Sequence, residues 1–274
     1  MKESSKRIIS GFIFGGVFIA SLYTHVSFAV LTFIFGIIST KEFNNLTNQT
    51  GIGYYLAFSL IYIYFALTEF YLNSNLQLNS WFNDLKDTLL IFSIFVSLFL
   101  LRDLFTSKNL PGILAKKYFR FIFYITSSFV FIYLIANFKG FYDPSIILGC
   151  FILIWVNDSF AYVVGKKFGK QKLFYSISPH KTVEGFLGGL LFCCISASIV
   201  SRYIDDTLST SNWLIIAIIV SVFGTLGDLI ESKLKRESNV KDSGKIMPGH
   251  GGILDRLDSV IFASPYIYLF LKLI

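Results

Sequence analysis

Trp213-Leu-Ile-Ile-Ala-Ile-Ile-Val-Ser-Val-Phe-Gly-Thr-Leu-Gly-Asp-Leu-Ile230 is an unbroken apolar run that carries one charge, Asp228, near its end. A helix needs roughly 20 residues to cross about 30 Å of hydrocarbon, and about 17 at minimum. As a helix, this run crosses a bilayer. Comparable runs lie at about 8–23, 26–40, 53–70, 88–104, 119–137, 144–165, 185–200 and 259–274. The spacing predicts an all-α, polytopic integral membrane protein of about nine transmembrane helices. Composition agrees: of 274 residues 54% are hydrophobic, 18% aromatic and only 15% charged, against about 25% charged in a soluble domain. Disordered, collagen-like and coiled-coil chains are excluded. Cys150, Cys193 and Cys194 sit in apolar runs without a Cys-x-x-Cys pattern, which excludes a disulfide scaffold and a zinc site.

The net charge of +7 reads as topology rather than as affinity for nucleic acid, because basic residues collect on the cytoplasmic side. Met1 to Arg7 and the apolar run behind it have the outline of a signal peptide, but no small-residue cleavage site follows. We read it as the first spanning helix, amino terminus inside. Nine crossings then put about 1–7, 39–52, 102–120, 165–184 and 231–258 inside. These segments hold all of the 24 Lys and Arg residues except Lys86, Lys139, Arg202 and Lys272. Glu69, Asp84, Asp87, Asp143, Asp205 and Asp206 fall at the opposite edges. The expected location is the inner (cytoplasmic) membrane.

Residues 1–140 are chemically plain and read as structural or dimerisation helices, in which Gly11, Gly15 and Gly16 let neighbours approach closely. The Arg102–Arg120 loop, with Pro111 and Gly112, suits anionic head groups. No internal repeat supports an inverted-repeat transporter. Chemistry concentrates in 141–274, the expected catalytic region. Asp158 and Asp228 lie within or at the ends of apolar helices, where a carboxylate costs roughly 2.5–3.5 kcal/mol and faces an ion, a partner or a polar cavity.

Gly165-Lys-Lys-Phe-Gly-Lys-Gln-Lys172 supplies lysines for phosphates, and Ser178-Pro179 before Lys181 and Thr182 reads as a turn feeding a helix amino terminus. His180 has no second histidine nearby. If the eighth helix continues, Asp228, Glu231, Ser232 and Lys235 share one face, as do Asp255, Asp258 and Ser259 on the next. Between them lies a glycine-rich turn, Gly249, Gly251 and Gly252, containing His250. Carboxylates that hold Mg²⁺ on a triphosphate, with Lys or Arg beside them, fit this pattern. A P-loop and a Gly-x-Ser-x-Gly elbow are both absent. The residues point to metal-dependent phosphotransfer at the cytoplasmic membrane face. Plainer readings stay open: Lys233 and Lys241 as solvated inside charges, and Glu231 as an i+4 partner of Lys235.

Ser232-Lys-Leu-Lys-Arg-Glu-Ser-Asn-Val-Lys-Asp-Ser-Gly-Lys-Ile-Met-Pro-Gly-His-Gly-Gly-Ile-Leu-Asp-Arg-Leu-Asp258 resembles the signature of the phosphatidate cytidylyltransferases, or CDP-diacylglycerol synthases. Asp158-Ser159, Gly165-Lys166, Ser178-Pro179, Lys181-Thr182, Glu184-Gly185 and Gly227-Asp228 resemble the upstream blocks, with His180 where lysine is expected. The resemblance implies a cytoplasm-facing, homodimeric enzyme that converts CTP and phosphatidate to CDP-diacylglycerol and pyrophosphate with Mg²⁺, K⁺ being the candidate for a second metal position. On that basis Asp228 and Asp255, then Asp258 and Glu231, are the expected metal ligands. Asp158 supports the polar cavity or a metal. Lys235, Arg236, Lys241 and Arg256 neutralise phosphates; Ser178, Lys181 and Thr182 contact them, with Glu184 as orienter. Gly249, Gly251 and Gly252 shape the nucleotide loop, and His250 donates to the nucleotide. The rivals are another CTP-dependent lipid phosphotransferase, such as a polyprenol kinase or an ether-lipid cytidylyltransferase, and a cation transporter using Asp158 and Asp228.

Overall fold

Residues 3–74, 80–106, 117–249 and 251–274 are described by a computed structural model; His250, Pro111 and Gly112 lie outside the described residues. The chain runs through α1 (Glu3–Ser21), α2 (His25–Leu46), α3 (Ile52–Ser74) and α4 (Ser80–Thr106). Next comes α5 (Lys117–Arg120), joined through a π-helical turn (Phe121–Thr126) to α6 (Ser127–Ile135). Then follow α7 (Ser145–Phe168), a hairpin of β1 (Lys172–Phe174) and β2 (Ser178–Thr182), α8 (Val183–Tyr203), α9 (Thr210–Glu237) and α10 (Leu254–Leu273).

Apolar runs make the helices and small polar residues set their starts. Thr24 caps α2, Thr182 caps α8 and Ser209 caps α9, each side chain accepting the backbone N–H three residues on. Seven passes are long and apolar enough to cross a membrane: α2, α3, α4, the α5–α6 unit, α7, α8 and α9. Helix α1 adds a shorter apolar stretch, Ile9–Ser21. Helix α10 begins with Asp255, Arg256 and Asp258 and is buried along most of its length. The described residues thus form an all-α, multi-pass membrane protein.

The predicted boundaries needed correcting at three places. The second span extends to Leu46, and the last begins at Leu254, because its acidic first turn is bonded into the protein rather than left outside. The Ser178–Thr182 stretch is a strand as well as a lead-in to a helix, with Lys172 opposite Thr182 and Phe174 opposite Ser178.

Ion pairs and hydrogen bonds identify the two ends of the bundle. At one end Lys233 Nζ reaches Asp103 Oδ2 at 2.6 Å, Lys117 donates to the Asn48 carbonyl, and Ser238 donates to the Leu46 carbonyl. Lys233 is therefore paired, not simply solvated. At the other end Lys86 meets Glu69, Lys139 meets Asp143 and Asp205, and Lys272 meets Asp87.

Lipid tails are as apolar as leucine, so packing among the helices is decided by fit. Gly185, Gly188 and Gly189 on α8 lie against Ala161, Val164 and Asn157 of α7, where an added Cβ would come within 2.9 Å of its neighbours. Gly227 on α9 meets the Asp258 carbonyl and Phe262 of α10 in the same way. Within the chain, the α1 glycines have no such neighbour: a Cβ on Gly15 or Gly16 would meet nothing within 4 Å. Exposed Gly11 lies on the same helix. Cys150 and Cys193 are buried and Cys194 half-buried, all as free thiols.

Candidate active site

Helix α9 continues past its apolar run to Glu237, so Asp228, Glu231, Ser232 and Lys235 do share a face. That face looks across to the first turns of α10 and to the hairpin. A cavity of about 800 Å³ lies between α7, the hairpin, α9 and α10. Its carboxylates are Asp158, Asp228, Asp242, Asp255 and Asp258, and its cations are Lys166, Lys172, Lys181, Lys235 and Arg256.

Lys181, on β2, places Nζ 2.5 Å from Asp228 Oδ2, while Ser232 donates to Asp228 Oδ1 at 3.2 Å. Lys235 bridges the helices: its Nζ is 3.0 Å from Glu231 Oε2 and 2.7 Å from Asp255 Oδ1. Asp255 Oδ2 accepts from the Gly252 N–H at 2.7 Å and from both the N–H and the hydroxyl of Ser243 at 2.9 Å. Asp258 is buried one turn further along α10, and its Oδ1 accepts the Ser259 N–H at 2.7 Å. Ser221 donates to Asn157 Oδ1 at 2.6 Å, and Asn157 Nδ2 lies 3.4 Å from Asp158 Oδ1. Asp158 thus has a polar anchor inside α7.

The turn before α10 needs glycine. Gly249 and Gly251 have φ of +77° and +85°, in the left-handed region that favours glycine. The Met247 N–H closes the turn on the Gly251 carbonyl at 2.9 Å. A side chain on Gly251 would also press on Asp255 Oδ2, 2.5 Å away.

Several expected residues sit elsewhere. Arg236 and Lys241 are exposed and do not line this cavity; Lys241 borders a neighbouring cavity of about 870 Å³ beside α2. Ser178 is half-buried in β2, also off the cavity lining. Thr182 lines the cavity, but its hydroxyl accepts the Gly185 N–H as the cap of α8. Glu184 accepts the N–H groups of Lys170 (2.9 Å) and Gln171 (3.1 Å), so it orients the start of the hairpin. Lys166 and Lys172, from the loop read as supplying lysines for phosphates, do line the cavity; Tyr162, His180 and Asp242 line it without a role assigned from the sequence. Glu42, described below, had no signal beyond being an acid at the end of an apolar run.

The fit of a metal follows from the donors. Among the described residues no three of these acids converge closely enough to enclose an ion; Lys181 and Lys235 lie against them. The available donors are nonetheless carboxylate oxygens, the kind Mg²⁺ takes. Glu231, fully buried and off the cavity lining, leaves Oε1 without a hydrogen-bond donor behind Lys235.

Residues 5–274 match the profile described as the cytidylyltransferase family. The chain is 42% identical over 193 residues to a phosphatidate cytidylyltransferase of Staphylococcus saprophyticus, covering 70% of this chain and 72% of that protein. It is 52% identical over 122 residues to the Bacillus subtilis phosphatidate cytidylyltransferase, covering 44% and 45% of the two chains. A Staphylococcus haemolyticus protein of the same name is 48% identical over 125 residues, or 46% of this chain and 48% of that one. Against two of these three relatives, the match spans about half of the relative's length.

Proposed function

This chain belongs to the cytidylyltransferase family, and from that membership we propose that it is a phosphatidate cytidylyltransferase: CTP and phosphatidate give CDP-diacylglycerol and pyrophosphate. One observation carries the reading: a cavity of about 800 Å³ at one end of the membrane helices faces lysines from the hairpin toward carboxylates from α9 and α10. Its size is within the roughly 300–1,000 Å³ usual for small-molecule sites.

In the proposed reaction a phosphate oxygen of phosphatidate forms a bond to the α-phosphorus of CTP, and the bond from that phosphorus to the β-phosphate bridging oxygen breaks. The nucleophile is already an anion, so the chain supplies positioning and charge neutralisation rather than a strong base. Lys181, Lys235 and Arg256 neutralise phosphate charge, with Lys166 and Lys172 at the hairpin side. Asp228 holds Lys181, and Asp255 holds Lys235, so the ammonium groups stay in place when water leaves. Mg²⁺ would be held by carboxylates drawn from Asp228, Asp255 and Asp258, with Glu231 and Asp158 behind them, and would supply positive charge against the triphosphate. K⁺ is retained for a second position, and a homodimer as the assembly.

The cytoplasmic inner-membrane orientation is part of the same proposal. It is supported by the basic loops on the cavity side and by the paired lysines Lys86, Lys139 and Lys272 at the far end.

Two forms of labelled CTP test the reaction. With phosphatidate, label in the α-phosphate is expected in the lipid product and label in the γ-phosphate in pyrophosphate. Entry of the γ-label into lipid would replace this reading with a lipid kinase.

A further inference from the structure

We propose that Glu42, on α2, is a positioning residue for this reaction, fixing the Ser243–Leu254 turn and the start of α10 so that Asp255, Arg256 and Asp258 enter the cavity in register. The inference rests on the nucleotidyl transfer proposed above.

Glu42 is only 3% exposed. A buried carboxylate is tolerated where several donors meet it, and here the first turn of α10 supplies them. Its Oε1 accepts the Ile253 N–H at 3.2 Å, and its Oε2 accepts the Leu254 N–H at 2.8 Å and the Ser243 hydroxyl at 3.2 Å. The preceding amide, Gly252 N–H, goes to Asp255. Two carboxylates, one from α2 and one from α10 itself, therefore divide the free amides at the start of α10. The positive end of that helix favours both.

The turn is shaped around Glu42. A Cβ on Gly252 would stand 2.5 Å from both Glu42 carboxylate oxygens, and one on Gly244 would press on Oε1. Ser243 lies within reach of both Glu42 and Asp255 and has one hydroxyl proton to share between them. A shift of Glu42 would therefore pass to Asp255, and through Lys235 to Glu231 on α9.

Glu42 does not line the main cavity; it borders the neighbouring one, with Lys41, Ser243 and Gly244. It acts through the residues it holds, which makes it a contribution of the first half of the chain to the chemistry.

The test compares full-length wild type with Glu42→Gln, Glu42→Asp and Glu42→Ala in detergent. Misplacing reacting groups by 1 Å costs about 100-fold. Glu42→Gln should therefore lower kcat about 100-fold while KM for CTP stays within about threefold. It should also speed hydrogen exchange at the 252–254 amides, and the loss of kcat should far exceed the loss of folded protein at the assay temperature. Glu42→Asp keeps the charge and should recover part of kcat; Glu42→Ala should recover none. Full kcat in a folded Glu42→Gln protein would overturn the proposal. So would a loss of activity that only follows the unfolded fraction, equal in the Asp and Ala variants. A wild type without turnover would sink the assigned reaction instead, and the exchange comparison would still decide whether Glu42 holds the turn.

Discussion

Lys181 and Asp228 meet across the cavity, Nζ to Oδ2 at 2.5 Å, joining the β-hairpin after α7 to the middle of α9. Both side chains are about a third exposed or less, at 26% and 35%, so the pair is open to the cavity's contents. It links the basic wall to the acidic one.

A partly exposed pair contributes about 1 kcal/mol or less to stability. Lys181→Met and Asp228→Asn should therefore leave thermal unfolding almost unchanged. Each should lower kcat/KM for CTP by about 100-fold or more, since preorganised charge of this kind is worth roughly that much. Steady-state kinetics beside a melting curve checks both halves. Wild-type kinetics in either variant would remove the pair from the mechanism.

Gly227→Ala tests the α9–α10 contact. The added methyl would stand 2.6 Å from both the Asp258 carbonyl and the Phe262 Cβ. Overpacking of this kind costs about 1–3 kcal/mol, and because Asp258 lies at the contact, activity should fall along with the melting temperature. Gly15→Ala, with nothing within 4 Å, is the control and should melt like wild type.

At the far end, Asp205 accepts from Lys139 (3.0 Å), from the Thr207 hydroxyl (2.6 Å) and from the Trp213 indole (3.2 Å). Burial alone would raise its carboxyl, but the hydrogen bonds from Thr207 and Lys139, the Lys139 charge and the Leu208 N–H hold it below its ordinary value, and Asp143 is lowered likewise through Lys139 and Ser145. Burial opposes the charge on Lys139, yet its two acidic partners raise it. The signs fix the window. The acids' share of stability is complete above their unfolded value of 3.8 and is lost as pH falls through the lower folded values. The lysine's share is complete below 10.5 and is lost as pH rises through its higher folded value. Melting temperature should hold across neutral pH and drop below about pH 4. Asp205→Asn should remove about 2 kcal/mol at pH 7 and flatten the acid limb.

Orientation is testable with single cysteines. Val240, 40% exposed beyond α9, and Tyr203, 79% exposed at the end of α8, lie at opposite ends of the bundle. A Val240→Cys protein in intact cells should resist an impermeant maleimide until the membrane is opened, whereas Tyr203→Cys should react at once. The reverse pattern would invert the topology.

The membrane fold was legible because roughly 20-residue apolar runs leave a helix as the only spanning form. The acidic face of α9 was legible for a related reason: a 3.6-residue period carries Asp228, Glu231 and Lys235 past the apolar run regardless of tertiary context. The hairpin was not legible, since Lys172–Thr182 shows no alternation and its strands are held by Glu184 and by the cap at Thr182. Arg236 and Lys241 looked equivalent to Lys235 in the sequence; only the direction of the helix face and the path of the turn separate them. Glu42 was hidden because its partners are 201 to 212 residues away, and no local pattern marks a contact of that range.

The most direct test of the account is transfer of α-labelled CTP to phosphatidate by the purified protein with Mg²⁺, wild type beside Asp255→Asn. The account predicts labelled CDP-diacylglycerol from wild type, abolished by a chelator and reduced at least about 100-fold in the variant. A folded wild type that forms no labelled lipid, or a variant that keeps the wild-type rate, would contradict it.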